Sequence, residues 1–372
     1  MSEKKLEVAE IQAAIQQVGA QWLAGNTSIS VLSRAEQQKR LGVVPRPGDA
    51  PLEQVERMVD ERKAQLMAER AVNAPSAYDL RNVNGQNFIT SIKDQGGCGS
   101  CVAFGTVAVI ESTLRVQQKD VNLNIDLSEA QLFYCHGKER GRNCDNGWWP
   151  TGADGALEAC KNLGIADETC YPYVSGDQNC NVCGDWQNRA YKVNGHREIS
   201  STAEMKEWIS TRGPLTGCFL VYSDFFSYRS GVYRHVAGDL SGGHCVAIVG
   251  YDDAAGCWIC KNSWGTGWGD QGFFRIGYGE CGIESWYGPC AVEGVSFEPE
   301  WMNGVHVVGL WTINEQRNAW VYVDGGIGWK KLAFDNDNIF FDMLYELTTA
   351  KAGNRPVNLR QQQNIIKQVY VW

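Results

Sequence analysis

The chain has 372 residues, 44% of them hydrophobic, which is enough to bury a large core and to divide into two or three domains. Its 43 acidic residues outnumber 34 basic ones, and the net charge of −9 with no basic run argues against nucleic acid or an anionic membrane surface as partner. Fourteen cysteines are too many for a reducing compartment unless they bind metal or serve chemistry, and no apolar stretch reaches the roughly 20 residues of a membrane span.

The first 20 residues carry Lys4-Lys5 and then Glu7 and Glu10, with no apolar core or cleavage box, so no export signal is legible. The cysteine count nevertheless points to an extracellular or otherwise extracytoplasmic location. Leu6, Ile11, Ile15, Val18 and Trp22 recur on one helical face. Leu52, Val55, Val59, Leu66 and Met67 do so on a second, with Asp49 and Pro51 as start signals.

Gln95-Gly96-Gly97-Cys98-Gly99-Ser100-Cys101 then places an amide, a glycine turn and a cysteine directly ahead of a helix-like run from Val102 to Gln117. A thiol at a helix N-terminus sits in the positive end of the macrodipole, which favours thiolate. Gln95 carries a side-chain NH2 able to donate to an oxyanion beside Cys101. A cysteine nucleophile needs a base, and the base needs an orienter. His136, His196 and His235 sit in polar or glycine-containing turns and read as surface residues, and His306 opens an apolar run near the C-terminus. His244 instead follows Gly242-Gly243 and opens Cys245-Val246-Ala247-Ile248-Val249-Gly250-Tyr251, a buried strand, where a ring is held rigidly. After a short apolar strand from Cys257 to Cys260 comes Asn262-Ser263-Trp264-Gly265-Thr266-Gly267-Trp268-Gly269. Asn262 offers an oxygen to one imidazole nitrogen, and Trp264 can shield that hydrogen bond from water. Cys257 and Cys260 form a C-x-x-C, but strand geometry sends them to opposite faces, which disfavours zinc.

After Phe297 a second module begins. Val305–Leu310, Ala319–Val323 and Ile365–Tyr370 read as strands, and Asn338–Ala352 as a helix closed by Gly353. The expectation is a small β-rich domain with one helix, of OB-like kind. Trp311, Trp320 and Trp329 there could bind a glycan or a protein, with core packing as the alternative. Asp335-Asn336-Asp337-Asn338 reads as a polar turn rather than a calcium loop.

The three catalytic motifs together resemble the papain family of cysteine proteases, whose pattern is Q-G-x-C-G-S-C-W-A-F, then G-H before an apolar strand, then N-S-W-G-x-x-W-G. Cys101 and His244 lie about 140 residues apart, within the roughly 130–150 of that family. The resemblance covers about Pro75 to Val295 and departs at Val102 and Leu80, where the family usually has tryptophan. It implies an α+β, papain-like two-lobed fold with a helical left lobe and a β-barrel-like right lobe. It also implies that Gln95 is the oxyanion donor, Cys101 the nucleophile, His244 the acid/base and Asn262 the orienter, with no cofactor or metal. Protein or peptide substrates are implied, cleaved as by a thiol endopeptidase.

Tyr222 to Phe225, Ser230 to Val236 and Cys281 to Ser285 are similar to cathepsin B, but no occluding loop with a His-His pair lies between Cys144 and Tyr173. That predicts an open cleft and endopeptidase action. By the same resemblance Gly147 offers main-chain bonds to substrate, Trp148 and Trp149 follow near the pocket wall, Trp286 matches the pocket floor, and Trp264 and Trp268 flank the site. Core packing is the alternative for these tryptophans. Cys98–Cys144 and Cys135–Cys180 are implied disulfides; Cys170–Cys183 and Cys281–Cys290 are further choices on proximity, and Cys245 is the favoured unpaired thiol beside Cys101.

Residues 1–73 form an N-terminal helical region, 74–297 the catalytic domain and 298–372 the accessory domain. Gly25-Asn26 through Leu32-Ser33-x-x-Glu36 to Leu41-Gly42 is distantly similar to the tail of a papain-family propeptide. It is expected to run through the cleft as an inhibitory segment cut near Arg70 to Ala74. A permanent extension is the alternative there. A catalytically idle binding scaffold and a peptide ligase are the rival readings of the whole chain.

Overall fold

A computed structural model describes residues 6–66, 74–297, 300–313, 317–324, 328–334, 336–362 and 365–372. The chain divides into two compact units, Met1–Gly184 with Lys192–Val295, and Asp185–Tyr191 with Ser296–Trp372.

The N-terminal region folds onto the first unit rather than standing apart. Helix α1 (Val8–Val18) buries Ile11 and Ile15 and ends at Gly19 in the left-handed region. Strand β1 (Trp22–Ala24) follows, so Trp22 lies beyond the helix predicted to include it. Helix α2 (Arg34–Gln38) starts on a capping box, with Ser33 N–H donating to Glu36 Oε2 at 2.8 Å and Glu36 N–H to Ser33 Oγ at 3.3 Å. Helix α3 (Leu52–Leu66) buries Val55 and Val59, and Val59 sits against Gly282, where a Cβ would meet it at 2.6 Å. Met67 and the expected cut near Arg70 to Asn73 lie outside the described residues.

After β2 (Ala77–Asp79), α4 (Cys101–Gln118) is buried on every side from Cys101 to Leu114, which fits its continuous apolar and small-residue run. With α5 (Ala156–Asn162) it forms a helical half. The other half is a sheet built from β3 (Tyr191–Glu198), β4 (Leu215–Tyr222), β5 (Tyr228–Tyr233), β6 (Leu240–Asp252), β7 (Cys257–Lys261), β8 (Phe273–Gly277) and β9 (Cys290–Phe297), with α6 (Thr202–Thr211) between β3 and β4. Strand order is β1-β5-β8-β7-β6-β4-β9-β3, and β2 pairs with β6. The N-terminal region thus supplies an edge strand: Trp22 pairs with Gly231 and packs on Tyr233 and Tyr228, with ring centroids 5.2 and 6.2 Å apart.

Cys98–Cys144, Cys135–Cys180 and Cys170–Cys183 are disulfides, all in the helical half. The expected Cys281–Cys290 bridge does not form. Cys281 lies in a tight turn at φ +53°, and the Cys290 thiol, at the start of β9, points to the Gly288 carbonyl at 3.2 Å. Cys101, Cys245, Cys257 and Cys260 also stay outside disulfides and are buried. Two histidines read as surface residues are not. His136 is buried with Nε2 2.9 Å from the Gly164 carbonyl, and His235 stacks on Tyr222 at 3.7 Å with Nδ1 3.2 Å from both Asp224 oxygens. His196 pairs with Glu158 at 3.0 Å.

The second unit is a six-stranded sheet of β10 (Glu300–Val305), β11 (Val307–Thr312), β12 (Ala319–Val323), β13 (Gly328–Leu332), β14 (Val357–Gln362) and β15 (Ile365–Val371), in the order β10-β14-β15-β13-β12-β11. A six-stranded sheet in this order differs from the five-stranded, partly open Greek-key barrel of an OB fold. Helix α7 (Asp337–Ala352) packs its Phe340, Met343 and Leu347 with Val321, Leu359 and Ile366 in one core. The polar run before it is a helix cap: Asn336 Oδ1 accepts from Asn338 and Ile339 N–H at 3.0 and 3.3 Å, and Asp337 pairs with Arg317. No group of His, Cys, Asp and Glu that could hold a metal occurs among the described residues. Trp311 and Trp329 are about half exposed, and Trp320 is partly covered by Lys331, whose Nζ lies 5.9 Å from the ring centroid.

Candidate active site

The close approach of α4 to β6 builds the site. A Cβ on Gly105 would come within 2.9 Å of Cys245 Sγ, so only glycine lets the helix lie this near the strand. Cys101 opens that helix, and His244 precedes Cys245 on the strand. His244 Nε2 lies 2.7 Å from Asn262 Oδ1. The same oxygen accepts from the Ser263 N–H at 2.8 Å, which fixes the amide orientation. An amide oxygen only accepts, so in the neutral ring Nε2 carries the hydrogen and Nδ1 the lone pair. Nδ1 has no hydrogen-bond partner among the described residues. Trp264 lies over the pair, its ring centroid 4.7 Å from that of His244.

Gln95 is held equally firmly. Its N–H donates to the Ser263 carbonyl at 2.9 Å, and its Oε1 accepts from Ser263 Oγ at 2.7 Å. That turns Nε2 to donate to the carbonyls of Cys98 and Arg40, at 2.8 and 3.0 Å. Ser263 is therefore a positioning residue that sequence reasoning passed over, although it sits inside the Asn-Ser-Trp-Gly run.

The groove above these residues is filled by the chain itself. Trp148 N–H donates to the Gly42 carbonyl at 2.7 Å, Val43 N–H to Gly243 at 3.0 Å and Val44 N–H to Trp148 at 3.3 Å. Val43 runs parallel to the Trp148 segment and antiparallel to Gly243. Contact is so close that a Cβ on Gly42 would lie 1.9 Å from the Gly99 carbonyl oxygen, and one on Gly147 2.1 Å from that of Gly42. Leu41 rests on Gly242, where a Cβ would meet it at 3.0 Å.

Burial of the site in this filled form opposes the electrostatics expected from the helix N-terminus alone. Burial pushes the Cys101 thiol up to about 12, with the neighbouring Cys245 adding to the effect. Burial also pushes His244 down to about 4, against the stabilising bond from Asn262. Desolvation outweighs the macrodipole while the groove is filled, so the thiol and the imidazole both stay neutral.

The family profile described as papain family cysteine protease matches residues 74–288. The chain belongs to the papain family of cysteine proteases. A gut-specific cysteine proteinase of Caenorhabditis elegans is 33% identical over 256 residues, spanning 61% of this chain and 76% of that protein. Among solved structures, procathepsin B S9 of Trypanosoma congolense matches with a TM-score of 0.61 at 26% identity, over 78% of this chain and 99% of that one. The digestive procathepsin L2 of Tenebrio molitor larval midgut matches at 0.58 and 26%, over 76% and 87%. This papain-family chain is thus a cysteine endopeptidase with an α+β, two-lobed papain-like fold, and it acts on protein substrates.

The tryptophans expected to line the substrate groove are mostly packed inside. The Trp148 ring lies against Gly137 and its indole N–H donates to the Asp154 carbonyl at 2.8 Å, so only its main chain faces the groove. Trp268 is fully buried and donates to the Phe226 carbonyl at 3.2 Å. Trp149 is buried beneath Arg142, whose Cζ is 4.7 Å from its ring. Trp286 stacks on Tyr287 and lies so close to Gly243 that a Cβ there would meet it at 2.3 Å. Tyr287, which sequence reasoning did not single out, has φ +60°.

Proposed function

We propose that this protein is made as a latent thiol endopeptidase whose residues Arg40 to Val44 block the groove, and that Cys101, His244, Asn262 and Gln95 carry the chemistry. The observation behind this reading is the 2.7 Å contact of His244 Nε2 with Asn262 Oδ1, which leaves Nδ1 available to a thiol at the start of α4. With the segment gone, water reaches both groups, and the thiol passes its proton to Nδ1. The Cys101 thiolate attacks the scissile carbonyl carbon, and the oxyanion accepts from the Cys101 N–H and Gln95 Nε2. His244 then gives its proton to the departing amine, leaving a thioester. It next takes a proton from water as that water attacks the thioester, and the acid product leaves with the thiol restored. Trp148 presents its N–H and carbonyl to the peptide, as it does to Gly42 and Val44, while Gly147, whose own N–H is bound to the Asn143 carbonyl, lets the peptide backbone come close.

The test is intact mass after incubation with the epoxide inhibitor E-64, on the whole chain and on the chain with its N-terminal segment removed. A single adduct on Cys101 in the shortened form alone is the expected result. Adducts in both forms would remove the inhibitory segment from this reading, and none in either would sink the nucleophile. Ser263→Ala is expected to lower kcat/KM of the processed enzyme about fivefold, since the lost hydrogen bond frees the Gln95 amide to rotate. Steady-state kinetics on a fluorogenic peptide would show it.

Three disulfides and the digestive character of its relatives support work outside the cytoplasm, in a lysosomal or extracellular space. Among the described residues no helix is long and apolar enough to cross a membrane.

A further inference from the structure

Tyr287 occupies a conformation that a bulky residue seldom adopts, with φ +60°. Strain of this kind persists where the surroundings enforce it, and it gathers at ligand clamps. Here it aims the phenol across the filled groove. The hydroxyl accepts from Arg46 N–H at 2.8 Å and directs its own proton toward the Val44 carbonyl at 2.8 Å, with Asp49 Oδ2 at 3.2 Å. One side chain thus reads both a carbonyl and an amide of an extended main chain. The ring is fixed from behind by Trp286, at 5.4 Å and 25°. Its exposed face carries the Arg46 guanidinium, with Cζ 4.9 Å from the centroid.

Arg46 and Asp49 leave with the N-terminal segment. In the covered form they close, with Val55 and Val59 of α3, a cavity of about 480 Å3 whose other wall is Tyr287, Glu198, Ile199 and Trp286, and that wall, with its oriented hydroxyl and bare aromatic face, is what stays. The Gly42–Val44 main chain that leads into this cavity already pairs with Trp148 and Gly243, so a substrate in the same groove reaches the same hydroxyl. Arg46 shows what the ring accepts: a cation over a π face, with a carboxylate at the wall of the same cavity.

We propose that Tyr287 is a specificity residue of the open cleft, its hydroxyl gripping the main chain of an extended peptide and its ring receiving an arginine or lysine side chain. This rests on the endopeptidase reading above. The experiment uses the whole chain folded as the latent form and then processed, as wild type, Tyr287→Phe and Tyr287→Asn. Asparagine tolerates positive φ, so it removes the phenol without adding backbone strain. Active sites are first titrated by iodoacetamide at Cys101. Kinetics then follow on peptides carrying arginine or its uncharged isostere citrulline at each of the three positions before the cleaved bond. Tyr287→Phe is expected to raise KM for the arginine peptide about fivefold with less than a twofold change in kcat. Wild type is expected to prefer arginine over citrulline about threefold at one of these positions, and Tyr287→Asn to erase that preference. An unchanged KM in Tyr287→Phe, or equal cleavage of the two peptides by wild type, overturns the proposal. Failure of wild type itself to be alkylated or to cleave would overturn the endopeptidase reading instead.

Discussion

Gly42→Ala is expected to turn the uncut chain into an active peptidase, raising its turnover of a small peptide about 10³-fold. The new methyl would sit 1.9 Å from the Gly99 carbonyl oxygen and 2.4 Å from its carbon, both backbone atoms that cannot swing aside. The only relief is for the segment to lift. Lifting breaks at least four hydrogen bonds, those of Arg40 with Gln95, Gly42 with Trp148, Val43 with Gly243 and Val44 with Trp148. At about 1 kcal/mol each they amount to roughly 4 kcal/mol, or about 10³ in the closed-to-open ratio. Intact mass must show the chain uncut during the assay. Gly184→Ala, which meets nothing within 4 Å, serves as the neutral control. A Gly42→Ala chain as silent as its parent would mean that the groove is not blocked in this way.

The second large effect is on pH. Between pH 7 and pH 4 the Val43 and Val44 amides are expected to lose about 10²-fold of their hydrogen-exchange protection, after correction for intrinsic rates. Under the cover His244 titrates only at about 4, because burial disfavours its charged form, whereas an imidazole in water titrates near 6.5. Below 6.5 the uncovered state therefore binds a proton that the covered state refuses. The sign follows directly: the closed form keeps its full advantage above pH 6.5 and loses it as pH falls toward 4. The measurement uses a Cys101→Ala chain, because in the uncovered wild type the thiol itself would already have given His244 that proton. Protection that fell equally in a His244→Ala chain would assign the acid response to other groups.

The legible parts of this molecule were those written in local pattern. The glycine turn before Cys101 does end at a helix start, the run after His244 is a buried strand, and Asn262 meets His244 through its side-chain oxygen. The rhythm of α3 is equally readable, whereas the short helix capped at Ser33 is not among the predicted elements. What escaped depends on contacts between distant segments. Nothing in the sequence near Gly42 says that it will lie against Gly99, nor that the phenol of Tyr287 will reach Val44. The upward shift of the Cys101 thiol in the covered form is out of reach for the same reason. A helix N-terminus is a local feature, whereas the desolvation that raises the buried thiol is set by everything packed around it. Tryptophan was ambiguous throughout, because its large apolar ring suits a binding wall and a core alike, and only neighbours such as Gly137 decide.

Strand β1 bears on how the protein is born. Trp22 leaves the ribosome long before Gly231 and Tyr233, the residues it must pair with, so the N-terminal strand waits while about 200 residues are made. Closing so long a loop is slow, and until it closes the rim of β5 is a bare row of amides and carbonyls able to recruit another chain. Removal of the N-terminal region would bare the same rim again. Solubility and lifetime of the working enzyme are thus tied to a three-residue strand that takes no part in catalysis.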